Sequence, residues 1–337
     1  MNKKISLMIV SAFLLLACSN NSGKKVKPVE PNGDYKGSTV IETNTDNNNI
    51  ERGKREKITL ENTVFKKMGL PLPYNTFGAA IPYLVPVNDN HKESFSVFGE
   101  YDENKALKYF KNLSSRGHGD NSPYWRWKTS IKKSDLYNKV ESRIVSIYKT
   151  NPRNVLTLVN GEWQQAPIRS VGDVKDIIVA ARGESGIITH MLIITNNGKY
   201  LVAKEFNVRK LLATNNALYG SKGDEDSYAS KPVIPSVSSL PSAYLALEED
   251  GEYIHIYGGG YGHGVGMSQF AAGTLAKSGE SYKNILKRYY TNVKLSTVES
   301  VLGNNKEIKV GITTNGSLEH GRLNIFSSEN KVQIYND

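Results

Sequence analysis

Cysteine is nearly absent. Cys18 is the only one in 337 residues, and there are six histidines and three tryptophans. A single thiol closes no disulfide within the chain, so burial and hydrogen bonds have to hold the fold. It also excludes the cysteine-rich zinc frameworks. The histidines do not replace them, because His255 and His263 stand eight residues apart across a glycine-rich segment, not one helical turn apart. No metal and no cofactor is therefore expected. No apolar run reaches the roughly 20 residues that a membrane-spanning helix needs. The formal charge is +10, but no long Lys/Arg run and no recognisable nucleic-acid motif accompanies it. The excess therefore points to solubility or to a polyanionic partner, and nucleic acid is not an expected partner.

What is present begins with "MNKKISLMIVSAFLLLACSN". Lys3 and Lys4 precede a short apolar run from Ile5 to Leu16, and Ala17 closes it. The "LLAC" ending resembles a bacterial lipoprotein signal. That resemblance implies cleavage before Cys18, lipidation of Cys18, and an exported protein held at the membrane by its acyl chains. Residues 19–57 carry few large apolar groups and cannot bury enough surface to offset ordering entropy, which reads as a tether. The expected organisation is a signal over 1–17, lipidated Cys18 and tether over 18–57, one domain over 58–298, and a β-rich extension over 299–337.

Within the domain, "DENKALKYFKNL" predicts a helix capped by Asp102, with Ala106, Leu107, Phe110 and Leu113 on one face. "ESRIVSIYKT" (141–150) alternates like a strand. Residues 176–206 read as three strands separated by the turn sequences "RGESG" and "TNNG". A short helix over 207–214 follows, with Asn207 as its cap. Residues 220–242 are polar and rich in Pro and Ser, a long surface loop. "EYIHIYGGG" is a strand entering glycines, and "MSQFAAGTLAKSG" and "SYKNILKRYY" are helices, the first stopped by Gly279. The irregular mixture of strands and helices predicts an α+β fold, an antiparallel β-rich domain with a few short helices.

The stretch from Gly258 to Gly266 stands apart, since six of its nine residues are glycine and His263 sits among them. A strand, a glycine loop and a helix in that order suggest a phosphate loop, but neither G-x-x-x-x-G-K-[ST] nor G-x-G-x-x-G is present. A tight turn over a satisfied histidine is one reading. Close approach of a ligand to the backbone is the other, because so much glycine carries an entropic cost.

"GGGYGHGVGMSQFAAGTLAKSGESYKNILKRYYTNVKL" resembles the signature of the stage II sporulation protein D and LytB amidase-enhancer family. "IPYLVPVND" (81–89), "YWRWKTSIKKSDL" (124–136) and "ARGESGIITHMLI" (181–193) resemble further family segments in the same order, with Ile187 where an arginine is usual. The resemblance implies action on peptidoglycan glycan strands by lytic transglycosylase chemistry. In that chemistry one glutamic acid protonates the leaving oxygen and then serves as base while the sugar's 6-hydroxyl closes an anhydro ring.

The family's catalytic segment, Y-L-x-x-V-V-x-x-E-M-P, has no clear counterpart here. Glu100 in "GEYDENKALKYF" is the nearest candidate acid and Glu184 the next; a surface or turn carboxylate is the alternative for both. Two functions therefore stay open. One is a lytic transglycosylase with a divergent acid. The other is a non-catalytic glycan-binding protein or an enhancer of a cell-wall amidase. In the second, Tyr261, His263, Ser268 and Gln269 contact sugar hydroxyls, and Trp125, Trp127 or Trp163 stacks on rings, with core packing the alternative for each tryptophan.

Overall fold

The computed structural model describes residues 39–43, 65, 68–71, 83–91, 102–223 and 225–297. Cys18, Glu100, the expected tether apart from residues 39–43, and the 299–337 extension lie outside the described residues. The chain divides into two units, one of Met1–Glu42 with Leu295–Asp337 and one of Thr43–Lys294. In the smaller unit the described residues belong to β1 (Thr39–Thr43) and β12 (Val293–Thr297), which pair as a two-stranded sheet.

The larger unit is α+β, as the sequence predicts. Its first helix, α1 (Glu103–Lys111), is capped by Asp102, whose carboxylate accepts from the Asn104 and Lys105 amides. Ala106 and Phe110 are buried beneath it against Ala246. β2 (Trp127–Lys132) runs directly into α2 (Lys133–Thr150). The alternation expected over 141–150 is wrong, because this segment is the second half of α2. Leu136, Val140, Ile144 and Ile147 repeat every three or four residues and all face the core. The eighteen-residue helix contains neither glycine nor proline, and within a ten-residue window its branched residues imitate a strand.

β3 (Val155–Val159) and β4 (Glu162–Gln164) form a hairpin. β5 (Val174–Arg182), β6 (Ile188–Thr195) and β7 (Gly198–Ala203) form the expected meander. Together they make an antiparallel sheet of order β4-β3-β7-β6-β5. Both faces are buried. Met191 and Ile193 enter the main core with Val179, Tyr200 and Val202, while Leu192 joins Phe65, Trp163, Ala180 and Leu201 on the opposite side. Successive side chains of a strand point to opposite faces, so a sheet covered on both sides requires the unbroken apolar run seen in β6.

α3 (Glu205–Leu211) starts two residues before the expected Asn207. Asn207 is not its cap; it is buried, and its Nδ2 donates to the Ala203 carbonyl. The expected surface loop over 220–242 contains β8 (Tyr219–Lys222) and β9 (Glu225–Tyr228), and it buries Val237 and Leu240. β10 (Leu245–Asp250) and β11 (Tyr253–Gly258) complete a second sheet, of order β10-β11-β2-β8-β9. α4 (Gln269–Lys277) and α5 (Tyr282–Tyr289) follow the glycine stretch. Gly279 ends α4 at φ +92°, a left-handed position that glycine adopts without strain.

Candidate functional site

β11 is a central strand, paired with β10 on one side and β2 on the other, so the point where it ends is fixed. Its last residue, Gly258, lies opposite Trp127. A Cβ at Gly258 would fall 2.3 Å from the Trp127 ring, so only glycine lets the strand cross the indole. Beyond it, the loop is pinned through its own backbone. Gly259 and Gly260 donate to the Tyr244 and Tyr124 carbonyls at 2.9 and 2.7 Å, and Gly262 donates to Pro241 at 2.9 Å. The Trp127 indole donates to the Gly260 carbonyl at 3.1 Å, and the Ser242 hydroxyl donates to that of Gly259 at 2.7 Å. Gly264 has φ +75°, and a Cβ there would sit 2.6 Å from Ile187 Cδ1. The isoleucine at the family's arginine position thus forms a floor beneath the loop.

Pinned in this way, the loop presents its side chains outward. Tyr261 and Val265 are more than half exposed, and His263 is exposed. The Tyr261 ring lies 4.7 Å from that of Tyr124, tilted by 57°. The Val265 amide donates to His263 Nδ1 at 2.9 Å. A ring nitrogen that accepts carries no proton, so the neutral imidazole held this way keeps its hydrogen on Nε2. Ser268 is the cap of α4, and its hydroxyl oxygen accepts from the Ala271 amide at 3.3 Å. Gln269 is exposed on the first turn of that helix. Tyr261, His263, Ser268 and Gln269 therefore share one short surface segment, with Ser268 also serving the helix.

Two of the three tryptophans are not available to a sugar. Trp127 is fully buried, and Trp163 is buried with its indole donating to the Pro71 carbonyl at 2.7 Å. Trp125 is partly buried, and its indole is bonded to Ser115 O at 3.0 Å. Glu184 lies in the turn between β5 and β6 and is partly buried. Arg182, at the end of β5, is wholly buried. Its guanidinium donates to both Glu103 oxygens at 2.8 Å and to the carbonyls of Gly186 and Leu245 at 2.7 and 2.8 Å, tying α1 to both sheets.

The sequence did not single out Glu205, the first residue of α3. Its Oε2 is shielded from solvent and makes no hydrogen bond. Arg209 Nη1 stands 3.7 Å away, an ion pair rather than a hydrogen bond. Burial pushes the Glu205 carboxyl above the usual range, against the opposing pull of Arg209 and His263. Its only sequence signal was an acidic residue at a helix start, which is commonplace.

The segment 83–91 packs against residues 116–118 and the end of α5. Asp89 accepts from the Tyr289 hydroxyl at 2.9 Å and from Arg288, while its carbonyl accepts the His118 amide at 2.9 Å. The His91 and His118 rings meet edge to face at 4.8 Å. Burial, Arg288 and His91 hold the His118 pKa down, outweighing Asp89 and Asp120. A separate cavity of about 430 Å³ is lined by Arg116, Asp120, Asn121, Pro123, Ser221, Lys222 and Gly223, and no residue of the glycine loop lines it.

Residues 76–266, more than half of the chain, match a family described as a domain of unknown function, DUF8618. The chain belongs to that family. Shorter matches connect it to better-known proteins. It is 45% identical over 56 residues to the amidase enhancer of Bacillus subtilis (strain 168), covering 17% of this chain and 8% of that protein. It is 43% identical over 63 residues to stage II sporulation protein D of Bacillus amyloliquefaciens, covering 19% of this chain and 18% of that protein. The corresponding Bacillus subtilis (strain 168) protein is 38% identical over 63 residues, with the same coverage. These matches support the kinship that the 258–290 signature implies. The chain spans 8 to 18% of the length of these curated relatives.

Proposed function

We propose that this protein works at the bacterial cell wall and binds peptidoglycan glycan strands across the loop between β11 and α4. The observation that carries the reading is the loop's construction. Its backbone is fixed by neighbouring carbonyls and an indole, while Tyr261, His263 and Val265 face outward. A rigid, glycine-lined surface allows a sugar chain to approach backbone amides closely, and the exposed Tyr261 ring, backed by the half-buried Tyr124, offers a sugar a flat apolar face. Similarity to an amidase enhancer and to stage II sporulation protein D supports the same setting. Cys18, lipidated at the end of the signal, would anchor the protein so that the tether carries the domain to the wall.

The test is binding of the full chain to peptide-free glycan strands, measured by titration calorimetry or co-sedimentation. Binding that weakens at least tenfold in Tyr261→Ala is the expected result; unchanged binding in that variant removes the loop from the site. Metabolic labelling with a fatty acid should mark the protein and fail to mark Cys18→Ala. The name of the amidase-enhancer relative supports a second reading, stimulation of a cell-wall amidase. In that case an amidase should release peptide faster when the protein is added, with no strand cleavage by the protein alone.

A further inference from the structure

The cavity between the 116–123 turn and the end of β8 is separate from the glycine loop, yet the two share a support. Pro123 lines the cavity. The next residue, Tyr124, accepts the Gly260 amide at its carbonyl at 2.7 Å, and its ring lies 4.7 Å from that of Tyr261. Consecutive Cα atoms are about 3.8 Å apart, so the wall of the cavity and the aromatic support of the loop are neighbours. Both walls are ordered by the protein alone. In the turn, the Gly117 amide donates to Asp120 Oδ2 at 3.2 Å, and the Asp120 and Ser122 amides donate to the Gly117 and Gly119 carbonyls at 3.2 and 3.0 Å. Opposite it, buried Ser221 donates its amide to Arg126 O at 2.8 Å and accepts the Arg126 amide at Oγ at 3.3 Å. A Cβ at Gly220 would collide with the Pro123 carbonyl, so β8 lies directly against the turn.

The lining carries charge of both signs. Arg116 and Lys222 are cations, Asp120 is a carboxylate, and Asn121 and Ser221 add hydrogen-bonding groups. Arg116 is held through Nη1, which donates to the Leu113 and Ser115 carbonyls at 2.9 and 3.1 Å, and its Nη2 donates to Asp226 at 2.7 Å. Lys222 donates to Glu225 at 2.8 Å. These two carboxylates are neighbours on β9, and they are more exposed, at 59 and 60%, than the cations they hold, at 33 and 37%. Ion pairs this open to water add little to stability, so an incoming carboxylate can replace them at small cost. A site for a simple anion has no use for Asp120, and a site for a simple cation has no use for Arg116 and Lys222. A group that bears both charges matches all three. The volume of about 430 Å³ suits such a group, since small-molecule sites span roughly 300 to 1,000 Å³.

We propose that this cavity binds a peptide bearing a free carboxylate and a free amine, with the carboxylate held by Arg116 and Lys222 and the ammonium by Asp120, and that the peptide is a branch of the strand lying on the glycine loop. The link to the strand rests on the reading of the loop as a glycan-binding surface; the match between cavity and peptide does not. A strand seated on Tyr261 places its branch at the neighbouring wall, so sugar and peptide bind as two parts of one ligand. Joining them raises the effective concentration of the second part at its site, and the branched strand binds more tightly than either part alone. Arg116, fixed by the Leu113 and Ser115 carbonyls, loses little further freedom when the carboxylate arrives.

The experiment titrates the full chain in a calorimeter with three probes: peptide-free glycan strands, strands carrying a short peptide that ends in lysine, and that peptide free and N-acetylated. The branched strands are expected to bind at least about tenfold more tightly than the bare ones. The double variant Arg116→Ala, Lys222→Ala should remove this advantage and leave the bare strands within about twofold of wild type. Amidating the peptide carboxylate should have the same effect on the wild type, and acetylating the lysine amine should weaken binding of the branched strands. Equal affinity for the two strands overturns the cavity site and leaves the loop reading standing. A double variant that loses both strands alike overturns it too, because Arg116 and Lys222 then serve the loop. If neither strand binds but the free peptide does, and the double variant loses it, the glycan reading falls and the peptide site stands. A wild type that binds none of the probes overturns both. If the double variant fails to fold, Lys222→Glu on an exposed residue decides: branched strands bound as tightly as by wild type overturn the proposal.

Discussion

The β5–β6–β7 meander and the loop after β11 treat the backbone in opposite ways. The meander hides it. Its strands are hydrogen-bonded to one another, and its side chains fill cores on both faces, so even the imidazole of His190 lies inside. The loop is also fixed by hydrogen bonds, but its donors and acceptors reach elements remote in sequence, and its side chains face solvent. Rigidity and burial coincide in the meander and are separated in the loop. A binding surface needs that separation: order established before the ligand arrives, without the surface being consumed by the core.

If this contrast holds, substitutions in the meander should act on stability and substitutions in the loop on binding. The largest effect is expected at Arg182. Arg182→Leu leaves the Gly186 and Leu245 carbonyls without their donor and removes the buried ion pair between α1 and β5, at a cost of about 3 to 5 kcal/mol in urea unfolding. A cost below about 1 kcal/mol would mean that α1 does not depend on this link. Next comes His190, whose pKa burial lowers to about 4. An imidazole in the unfolded chain takes its proton near pH 6.5, whereas the folded one stays neutral. Stability is therefore complete above about pH 6.5 and falls as pH drops towards 4, by on the order of 3 kcal/mol. Denaturation at a series of pH values should give His190→Gln a flatter profile than wild type over that window. Equal slopes would place His190 in contact with water.

Gly264→Ala tests the other side. Its positive φ and the close Ile187 methyl predict a loss of roughly 1 to 2 kcal/mol in folding, a modest figure, together with a tenfold or greater loss of glycan binding. The reverse pattern, large destabilisation with binding retained among folded molecules, would erase the distinction between the two regions. The smallest effect should be a gain. Lys204→Gly relieves an unfavourable backbone conformation and should raise stability by about 1 kcal/mol. A variant no more stable than wild type would mean that the backbone at Lys204 carries no strain.

Several features were legible in the residues alone. The Asp102 cap, the three-strand meander and the stop at Gly279 rest on signals contained within a turn or a strand, and each is present. Signals that needed a neighbour failed. Residues 141–150 alternate locally, but only the longer spacing from Leu136 to Ile147, seated on a core, reveals a helix. Asn207 has the chemistry of a cap, yet the chain turned earlier, at Lys204, and used Asn207 to satisfy Ala203 O. Tryptophan types suit both sugar stacking and cores, and burial assigned Trp127 and Trp163 to the core.

By itself, the sequence determined the class of fold and the family to which the glycine-rich signature points. Periodicity, capping and glycine content are written within a few residues and read the same in any context. Only the tertiary structure withheld Glu205 Oε2 from water and pinned the glycine loop to the carbonyls of Tyr124, Pro241 and Tyr244. The reason is physical. The burial of a carboxyl and the partners of a loop's backbone depend on segments distant along the chain, which no short stretch of sequence records.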